Sequence, residues 1–410
     1  MKTILVVGDG MADRPLKELE GRTPLEAANT PNLDAIAKRG VCGIMDIIAP
    51  GQPPGSDIAN LTLLGYAPVE SYRGRGALEA MGAGLVVEPG DVAFRGNFAH
   101  VSDEEVVVDR RAGRVEGSIF EEALADVRLV AHDDVEVVVK PTLAHRVAAV
   151  FRGEGLSWRI SDIDPHENGA KVLRSEPLEE TEAARKTASA INELYGILRM
   201  RLKNHPLNRE RAKRCLPPAN AVLFRGAGEV PSVEPLSNLY RIKGACVTMT
   251  PTVKGACLFT GFNVFDAPGA TGGIDTDAVS KARTALKVLP RYDLVYIHVK
   301  GTDVASHDGK SGEKTRVIEK IDALVGHLIE NVDPDDTCIA VTADHTTSIV
   351  VGNHTGDPVP VAVSGPGVRA DAVESFTERA CAVGGLGRIR GKDLMLILLD
   401  LQGRVNLIGS

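Results

Sequence analysis

Runs of consecutive apolar residues alternate with amphipathic stretches at both ends of the chain. Residues 3–7, 293–299 and 338–342 are largely apolar and rich in β-branched side chains, which is typical of parallel strands covered on both faces. Residues 317–328 and 392–401 have the apolar spacing of amphipathic helices. This alternation predicts an α/β fold in which a mostly parallel sheet lies between helices.

The pattern changes near residue 71, where strands begin to follow one another with Arg and Gly in the turns. The predicted strands there are residues 92–98, 105–109, 135–139, 146–151 and 221–225. A long amphipathic helix is predicted over residues 177–202, and a linker over 226–235. Because the alternating pattern then resumes, we predict a core domain of residues 1–70 and 229–410, with an inserted α+β cap domain of residues 71–228.

Composition limits the classes of function. The formal net charge of -8 and the pI near 5.8 argue against a general nucleic-acid or membrane-surface binder, so an anionic ligand must be held by local arginines or by metal. The six cysteines include no CxxC pair, which favours reduced thiols in a cytoplasmic protein. The apolar run at residues 3–7 is far shorter than a signal peptide or a membrane span requires.

Carboxylates and imidazoles follow several of the predicted core strands. Asp9 follows the first strand, Asp344 and His345 follow the strand at 338–342, and His354 lies in the next loop. After the strand at 293–299, Asp303 and His307 are four residues apart and share one face if a helix begins at Asp303.

Taken singly, each of these residues has a simpler explanation, such as a turn, a solvated strand end or a helix cap. Together they meet at the carboxyl edge of one sheet, where ligands bind in open α/β folds. This combination indicates a site for divalent ions of the Mn or Zn type.

Ser56 is a nucleophile at the start of an apolar helix. The Gly- and Pro-rich loop PGQPPG delivers its hydroxyl and the free backbone N–H groups of the first helical turn to one place, which is an anion site with a nucleophile in it. The alternative is that Ser56 is a simple N-cap of a helix over residues 57–64. With Ser56 included, the donors divide naturally between two ions.

These motifs resemble the alkaline phosphatase superfamily and, more narrowly, the archaeal-type 2,3-bisphosphoglycerate-independent phosphoglycerate mutases. The resemblance covers nearly the whole chain, and the segments that carry it are VVGDGMADRP, GRTPLEAANTPNLDAIAKRG, PGSDIANLTLLGY, GTDVASHDGK, TADHTT and GNHTGDPVP. It implies an alkaline-phosphatase-like core that interconverts 3-phosphoglycerate and 2-phosphoglycerate through a phosphoserine intermediate, in glycolysis and gluconeogenesis.

The resemblance also implies roles for individual residues. Ser56 would be the nucleophile, and Lys254, in TVKG, would activate it or hold the phosphate. One metal would be bound by Asp9, Ser56, Asp344 and His345, and the other by Asp303, His307 and His354. The substrate-contact candidates of the cap are Arg75, Arg95, Arg110, Arg111, Arg114, Asp162, Asp164, His166 and Arg225. Mn²⁺ is the expected ion, with Co²⁺, Zn²⁺ or Mg²⁺ as alternatives, and no organic cofactor is expected.

Two other functions remain open from the sequence. The same scaffold and metals serve phosphatases, phosphodiesterases and phosphopentomutases, which differ in the cap. A non-catalytic metal-binding regulator is the alternative from another class. The expected partner is a small-molecule substrate, phosphoglycerate, with no nucleic acid and no membrane, and a homo-oligomer is left open.

Overall fold

The computed structural model of the chain describes residues 1–67, 72–230, 233–407 and 409. The chain divides into two compact units, a core unit (Met1–Ser71 and Val233–Ser410) and an inserted unit (Tyr72–Ser232). The boundary expected near residue 71 lies outside the described residues, as do residues 231 and 232 of the expected linker. The second boundary was expected at residue 228 and falls after Ser232.

The described residues include strands from near the first residue to near the last helix, numbered here in chain order. They are β1 (Lys2–Gly8), β2 (Val41–Asp46), β3 (Val92–Val101), β4 (Val107–Asp109), β5 (Glu136–Pro141), β6 (Arg146–Arg152), β7 (Ala221–Gly228), β8 (Gly244–Val247), β9 (Asn263–Phe265), β10 (Leu294–Val299), β11 (Thr337–Ala343), β12 (Thr346–Ser348), β13 (Asn353–Thr355), β14 (Val359–Ser364) and β15 (Gly387–Arg390).

The α-helices among the described residues range from single turns to more than five turns. They are α1 (Pro24–Ala27), α2 (Pro31–Arg39), α3 (Ser56–Leu63), α4 (Gly76–Gly82), α5 (Glu121–Leu124), α6 (Glu182–Lys203), α7 (Pro206–Lys213), α8 (Leu236–Leu239), α9 (Pro251–Phe259), α10 (Ala278–Val288), α11 (Gly301–His307), α12 (Ser311–Asn331), α13 (Glu378–Cys381) and α14 (Gly391–Leu401). None of these described helices combines the length and apolar character needed to cross a membrane.

An eight-stranded sheet in the order β15-β2-β14-β11-β1-β10-β8-β9 forms the centre of the core unit. Strands β11, β1, β10, β8 and β9 are parallel neighbours, whereas β14 pairs antiparallel with both β11 and β2. Strands β10 and β11 are buried along their whole length, as their apolar sequences require. The helices contact one another in two groups, with α1, α2, α10, α11 and α12 in one and α3, α9 and α14 in the other. The predicted α/β class with a mostly parallel sheet is confirmed.

The inserted unit has its own sheet, in which every strand pair is antiparallel. The order is β4-β3-β6-β5, and β7 also pairs with the long strand β3. A core of aromatic and aliphatic side chains, including Phe94, Phe151 and Phe224, packs between this sheet and helix α6. The unit is therefore α+β.

Local chemistry explains both the successes and the errors of the predicted elements. The capping box expected at Thr23 and Glu26 is present at the start of α1. The predicted helix over 177–202 begins instead at Glu182, because the Thr181 hydroxyl caps it by accepting from the N–H of Ala184. The predicted strand over 105–109 is shortened to β4, since Glu105 has a left-handed φ of 59° that a strand cannot accommodate.

Candidate metal centre and nucleophile

Strands β11, β1 and β10 are adjacent and parallel, and their carboxyl ends carry the site. The register places Gly8 beside Ala343 on one side and beside Val299 on the other. The residues that follow these strand ends therefore meet at one edge of the sheet, and they include Asp9 and Asp344.

Two further segments reach the same edge. Helix α11 begins at Gly301, two residues before the expected start, and carries Asp303 and His307 on one face, with His307 Nε2 3.3 Å from Asp303 Oδ1. The short hairpin of β12 and β13 folds back after His345 and pairs Thr347 with His354.

Asp9, His298 and Asp344 form one group of side chains able to hold a metal ion, and all three are fully buried. His298 Nε2 lies 3.0 Å from Asp9 Oδ2 and 3.9 Å from Asp344 Oδ2. Neither His298 Nε2 nor Asp9 Oδ2 makes a hydrogen bond within the described part of the chain. Asp9 Oδ2 does lie 2.9 Å from the Lys300 ammonium, so the buried atom whose need for a partner is unmet is His298 Nε2, and a bound metal ion would satisfy it.

Asp303, His345 and His354 form the second such group. His354 Nε2 lies 3.2 Å from Asp303 Oδ1, and the rings of His345 and His354 stack with centroids 3.7 Å apart. His345 Nε2 is also 3.3 Å from Asp9 Oδ1, so this imidazole lies between the two groups. From the sequence, His345 was expected to share an ion with Asp9, Ser56 and Asp344, and His298 was not expected at the site.

Ser56 is the first residue of α3 and is 6% exposed. Its Oγ lies 3.2 Å from His345 Nε2. Gly55 takes the N-cap position, and no side-chain cap bond is present there. The alternative in which Ser56 is a simple N-cap is therefore wrong, and its hydroxyl lies with the clustered carboxylates and imidazoles.

Lys300 bridges carboxylates of the two groups. Its Nζ lies 2.9 Å from Asp9 Oδ2 and 2.7 Å from Asp303 Oδ2. Burial by itself would lower the pKa of Lys300, but the charges of Asp9 and Asp303 outweigh it and raise that pKa. The ammonium thus lies as a cation between carboxylates of the two groups.

The protonation states fit bound cations. Burial raises the pKa of the Asp344 carboxyl well above its ordinary value, and the negative charge of Asp9 raises it further. Burial lowers the pKa of His345 to about 4 and also lowers that of His298, so both imidazoles are neutral near pH 7, as metal ligands must be. Lys300 alone does not offset Asp9, Asp303 and Asp344 when all three are ionised, and divalent ions would.

Sequence reasoning missed several residues that contact the ligand candidates. Asn60 donates to Asp344 Oδ2 at 2.8 Å, Thr302 donates to the backbone oxygen of Asp9, and Thr347 donates to Asp303 Oδ1 at 2.9 Å. Asn60 was accessible to sequence reasoning because it lies one helical turn after Ser56. His298 was hidden because it occupies a position inside an apolar strand.

Lys254 lies on α9, and its ion partner in the described structure is Asp266, at 2.5 Å between Nζ and Oδ1. The structure therefore holds this ammonium against a carboxylate that was not expected from the sequence. Its role toward Ser56 stays a prediction.

The cap candidates of the inserted unit form two neighbouring clusters. In the first, Asp164 binds Arg110 through two hydrogen bonds of 3.0 and 2.6 Å and lies 3.5 Å from Arg225. His166 lies 2.9 Å from Asp162 and 3.2 Å from Arg225. The Arg110 guanidinium is therefore already committed to Asp164, whereas the buried Nε of Arg225 has no described hydrogen-bond partner.

The second cluster surrounds Glu79 and His145. Glu79 Oε1 lies 3.1 Å from Arg75 and 3.6 Å from Arg95. Burial lowers the pKa of His145 to about 4, and nearby guanidinium charges lower it further. Those charges belong to Arg146, Arg111, Arg95 and Arg114. Arg146 was not among the sequence candidates. This density of cations on a partly buried surface suits a small polyanion.

The profile of the metalloenzyme superfamily matches residues 1–401. The chain therefore belongs to the metalloenzyme superfamily, in agreement with its two groups of potential ligands.

Individual relatives narrow the class. The 2,3-bisphosphoglycerate-independent phosphoglycerate mutase of Ignicoccus hospitalis is 48% identical, and mutase 1 of Methanocaldococcus jannaschii is 46% identical; each match covers 100% of this chain and 99% of the relative. A solved cofactor-independent phosphoglycerate mutase from Thermoplasma acidophilum is 37% identical with a TM-score of 0.71, covering 98% of this chain and 100% of that one. Within the superfamily, the chain belongs to the 2,3-bisphosphoglycerate-independent phosphoglycerate mutases.

Proposed function

We propose that this chain interconverts 3-phosphoglycerate and 2-phosphoglycerate without 2,3-bisphosphoglycerate, through a phosphoserine formed on Ser56. The observation that carries the proposal is the position of the Ser56 hydroxyl, 3.2 Å from His345 Nε2 and beside two groups of metal-ligand type in which only His354 is partly exposed. A serine whose only function was structural would not need such an environment.

We assign the ligands of two divalent ions among these residues, with His345 serving the ion of Asp9 and Asp344 rather than that of Asp303 and His354. Asp9, Asp344, His345 and the Ser56 oxygen serve one ion, with His298 beside them, and Asp303, His307 and His354 serve the other. Bound divalent ions would lower the pKa of the serine hydroxyl and offset negative charge on the phosphoryl group. Because imidazole ligands favour softer ions than Mg²⁺, we expect Mn²⁺ or Co²⁺ to support the reaction best.

The chain's own residues account for the remaining steps. The Ser56 hydroxyl gives up its proton as its oxygen attacks phosphorus in line, the bond from phosphorus to the glycerate oxygen breaks, and the leaving glycerate oxygen takes up a proton, so no net proton is gained or lost. Lys300, held between Asp9 and Asp303, keeps positive charge beside the reacting centre. Glycerate then turns, and its other hydroxyl loses its proton as that oxygen attacks phosphorus; the bond from phosphorus to the Ser56 oxygen breaks, and the serine takes up a proton again.

The inserted unit supplies the substrate contacts in this proposal. The arginines that surround Glu79 and His145, together with Arg225, would bind the glycerate carboxylate and phosphate by charge-assisted hydrogen bonds. We place the reaction in the cytoplasm, in line with six free cysteines.

The test is a coupled enolase assay on 3-phosphoglycerate without added bisphosphoglycerate. Chelator-treated enzyme should be inactive, and Mn²⁺ or Co²⁺ should restore more activity than Mg²⁺. Ser56→Ala should abolish both isomerisation and the incorporation of labelled phosphate into protein. Ser280→Ala is the matched control, since Ser280 is also 6% exposed in the core unit and should tolerate the change.

Full activity in the chelated enzyme would contradict the metal assignment, and retained labelling in Ser56→Ala would contradict the nucleophile. Release of inorganic phosphate without 2-phosphoglycerate would identify a phosphatase instead.

A further inference from the structure

The Thr347 hydroxyl contacts two residues that are assigned above to different ions, Asp303 and His345. It is fully buried, and its Oγ1 lies 2.9 Å from Asp303 Oδ1 and 3.0 Å from His345 Nδ1. The hydroxyl therefore contacts a carboxylate assigned to one ion and an imidazole that faces the other. Neither contact was expected from the sequence.

A hydroxyl carries one proton, which restricts how these two contacts can be satisfied. Asp303 is a carboxylate paired with the Lys300 ammonium at 2.7 Å, so it accepts and does not donate. The Thr347 proton must then point to Asp303, because two unprotonated oxygens at 2.9 Å would repel each other. The remaining contact requires His345 Nδ1–H to donate to Thr347 Oγ1.

This succession of hydrogen bonds determines the tautomer of His345. With its proton on Nδ1, a neutral imidazole presents a lone pair at Nε2, the nitrogen that lies 3.2 Å from Ser56 Oγ and 3.3 Å from Asp9 Oδ1. In the other tautomer, an N–H group would donate to these oxygens and the nitrogen could not bind a cation. In the Nδ1-protonated tautomer, the Ser56 hydroxyl can donate to Nε2, and a bound cation would offset the repulsion between Nε2 and the Asp9 carboxylate.

The position of Thr347 is itself fixed by buried contacts. Its backbone oxygen accepts from the Lys314 ammonium at 2.9 Å, and its backbone N–H donates to Ala12 at 3.3 Å. Gly10, with φ of 64°, leaves room for the hydroxyl, since a Cβ there would lie 2.3 Å from Thr347 Oγ1. The hydroxyl thus has little freedom to turn away from its partners.

We propose that Thr347 is a positioning residue, whose hydroxyl fixes His345 as the Nδ1-protonated tautomer and so keeps Nε2 available to a divalent ion. The inference rests on the metal site proposed above. By the same hydrogen bonds, Thr347 couples His345 to Asp303, so that the orientation of one ligand set depends on the other.

Three variants of the full chain test this role through metal binding. Thr347→Val keeps the shape and removes the hydroxyl, Thr347→Ser keeps the hydroxyl, and Thr342→Val is the matched control. Thr342 is equally buried on β11, but its hydroxyl donates to the backbone oxygen of Pro360. Chelator-stripped protein is titrated with Mn²⁺ by calorimetry, and long-range ¹H–¹⁵N NMR of metal-free protein reports the His345 tautomer.

We expect Thr347→Val to weaken Mn²⁺ binding by about tenfold to a hundredfold, the usual effect of losing an outer hydrogen bond to a ligand. Thr347→Ser and Thr342→Val should bind as the unmodified chain does, and the NMR spectrum should show the His345 proton on Nδ1. Unchanged binding in Thr347→Val, or a proton on Nε2 in the unmodified chain, would overturn the inference while leaving the metal site intact. The NMR result decides the matter even if Thr347→Val does not fold. An unmodified chain that binds no Mn²⁺ would instead overturn the metal site itself.

Discussion

The buried pair of Lys314 and Asp13 offers a quantitative test of how the metal edge is held together. All three ammonium protons of Lys314 are used, by Asp13 Oδ2 at 2.9 Å, Thr347 O at 2.9 Å and Ala12 O at 3.0 Å. Lys314 is fully buried and Asp13 is 6% exposed, so water cannot replace a lost partner. Removing one member of such a pair costs about 3–5 kcal/mol, because it leaves an uncompensated buried charge.

We therefore expect Lys314→Met and Asp13→Asn each to lower the free energy of unfolding by about 3–5 kcal/mol. The double variant should cost no more than either single variant, since no charge is left unpaired. Lys310→Met is the control: Lys310 is half exposed, its pair with Glu313 spans 3.3 Å, and its loss should cost less than about 1 kcal/mol.

The assay is urea unfolding followed by circular dichroism, with chelator present so that metal binding does not add to stability. Trp158, the only tryptophan, lies in the inserted unit, so its fluorescence provides a separate signal from that unit. If the double variant were as unstable as the sum of the single variants, Lys314 and Asp13 would not act as a pair, and the reasoning would be refuted.

Three further predictions test other parts of the molecule. His298→Asn should weaken Mn²⁺ binding by about tenfold to a hundredfold in calorimetry; an unchanged isotherm would place His298 outside the metal site. Arg225→Gln should release glycerate early and raise the ratio of phosphate release to isomerisation by about tenfold, whereas the exposed Arg214→Gln should leave the ratio unchanged. Asp371→Asn should destabilise the chain at pH 7, because the native carboxylate accepts hydrogen bonds from backbone N–H groups. Burial raises the pKa of the Asp371 carboxyl, but N–H donors including Cys42 and Gly385 outweigh burial and lower this pKa. Since the folded pKa lies below the unfolded value of about 3.9, this stability is present above that pH and is lost as the pH falls through the folded pKa, so the two unfolding curves should converge in acid.

Much of the fold follows from local patterns that survive in the structure. The buried strands β1, β10 and β11 were predictable because short continuous apolar runs are typical of strands covered on both faces. The residues after those strands were predictable as a cluster, since parallel strands end at a common edge. The predicted ranges of these three strands were correct to within about two residues.

Other features depend on tertiary context that local patterns do not carry. His298 reads as an ordinary position of a strand until the register of β1 and β10 brings it beside Asp9. Thr347 is a polar residue in a short strand, and its role becomes visible only from the contacts of its hydroxyl with Asp303 and His345. Glu105 interrupts a predicted strand because its backbone is left-handed, which an apolar pattern does not reveal.

The order of the core sheet has a consequence for synthesis of the chain on the ribosome. Strand β1 is made first, but its neighbours β10 and β11 begin only at Leu294 and Thr337, after the whole inserted unit. The first strand must therefore wait for partners of high sequence separation, which makes core assembly slow compared with local folding. The two groups of ligands come together only after His354 has emerged, so the complete metal site cannot form until synthesis has passed this residue.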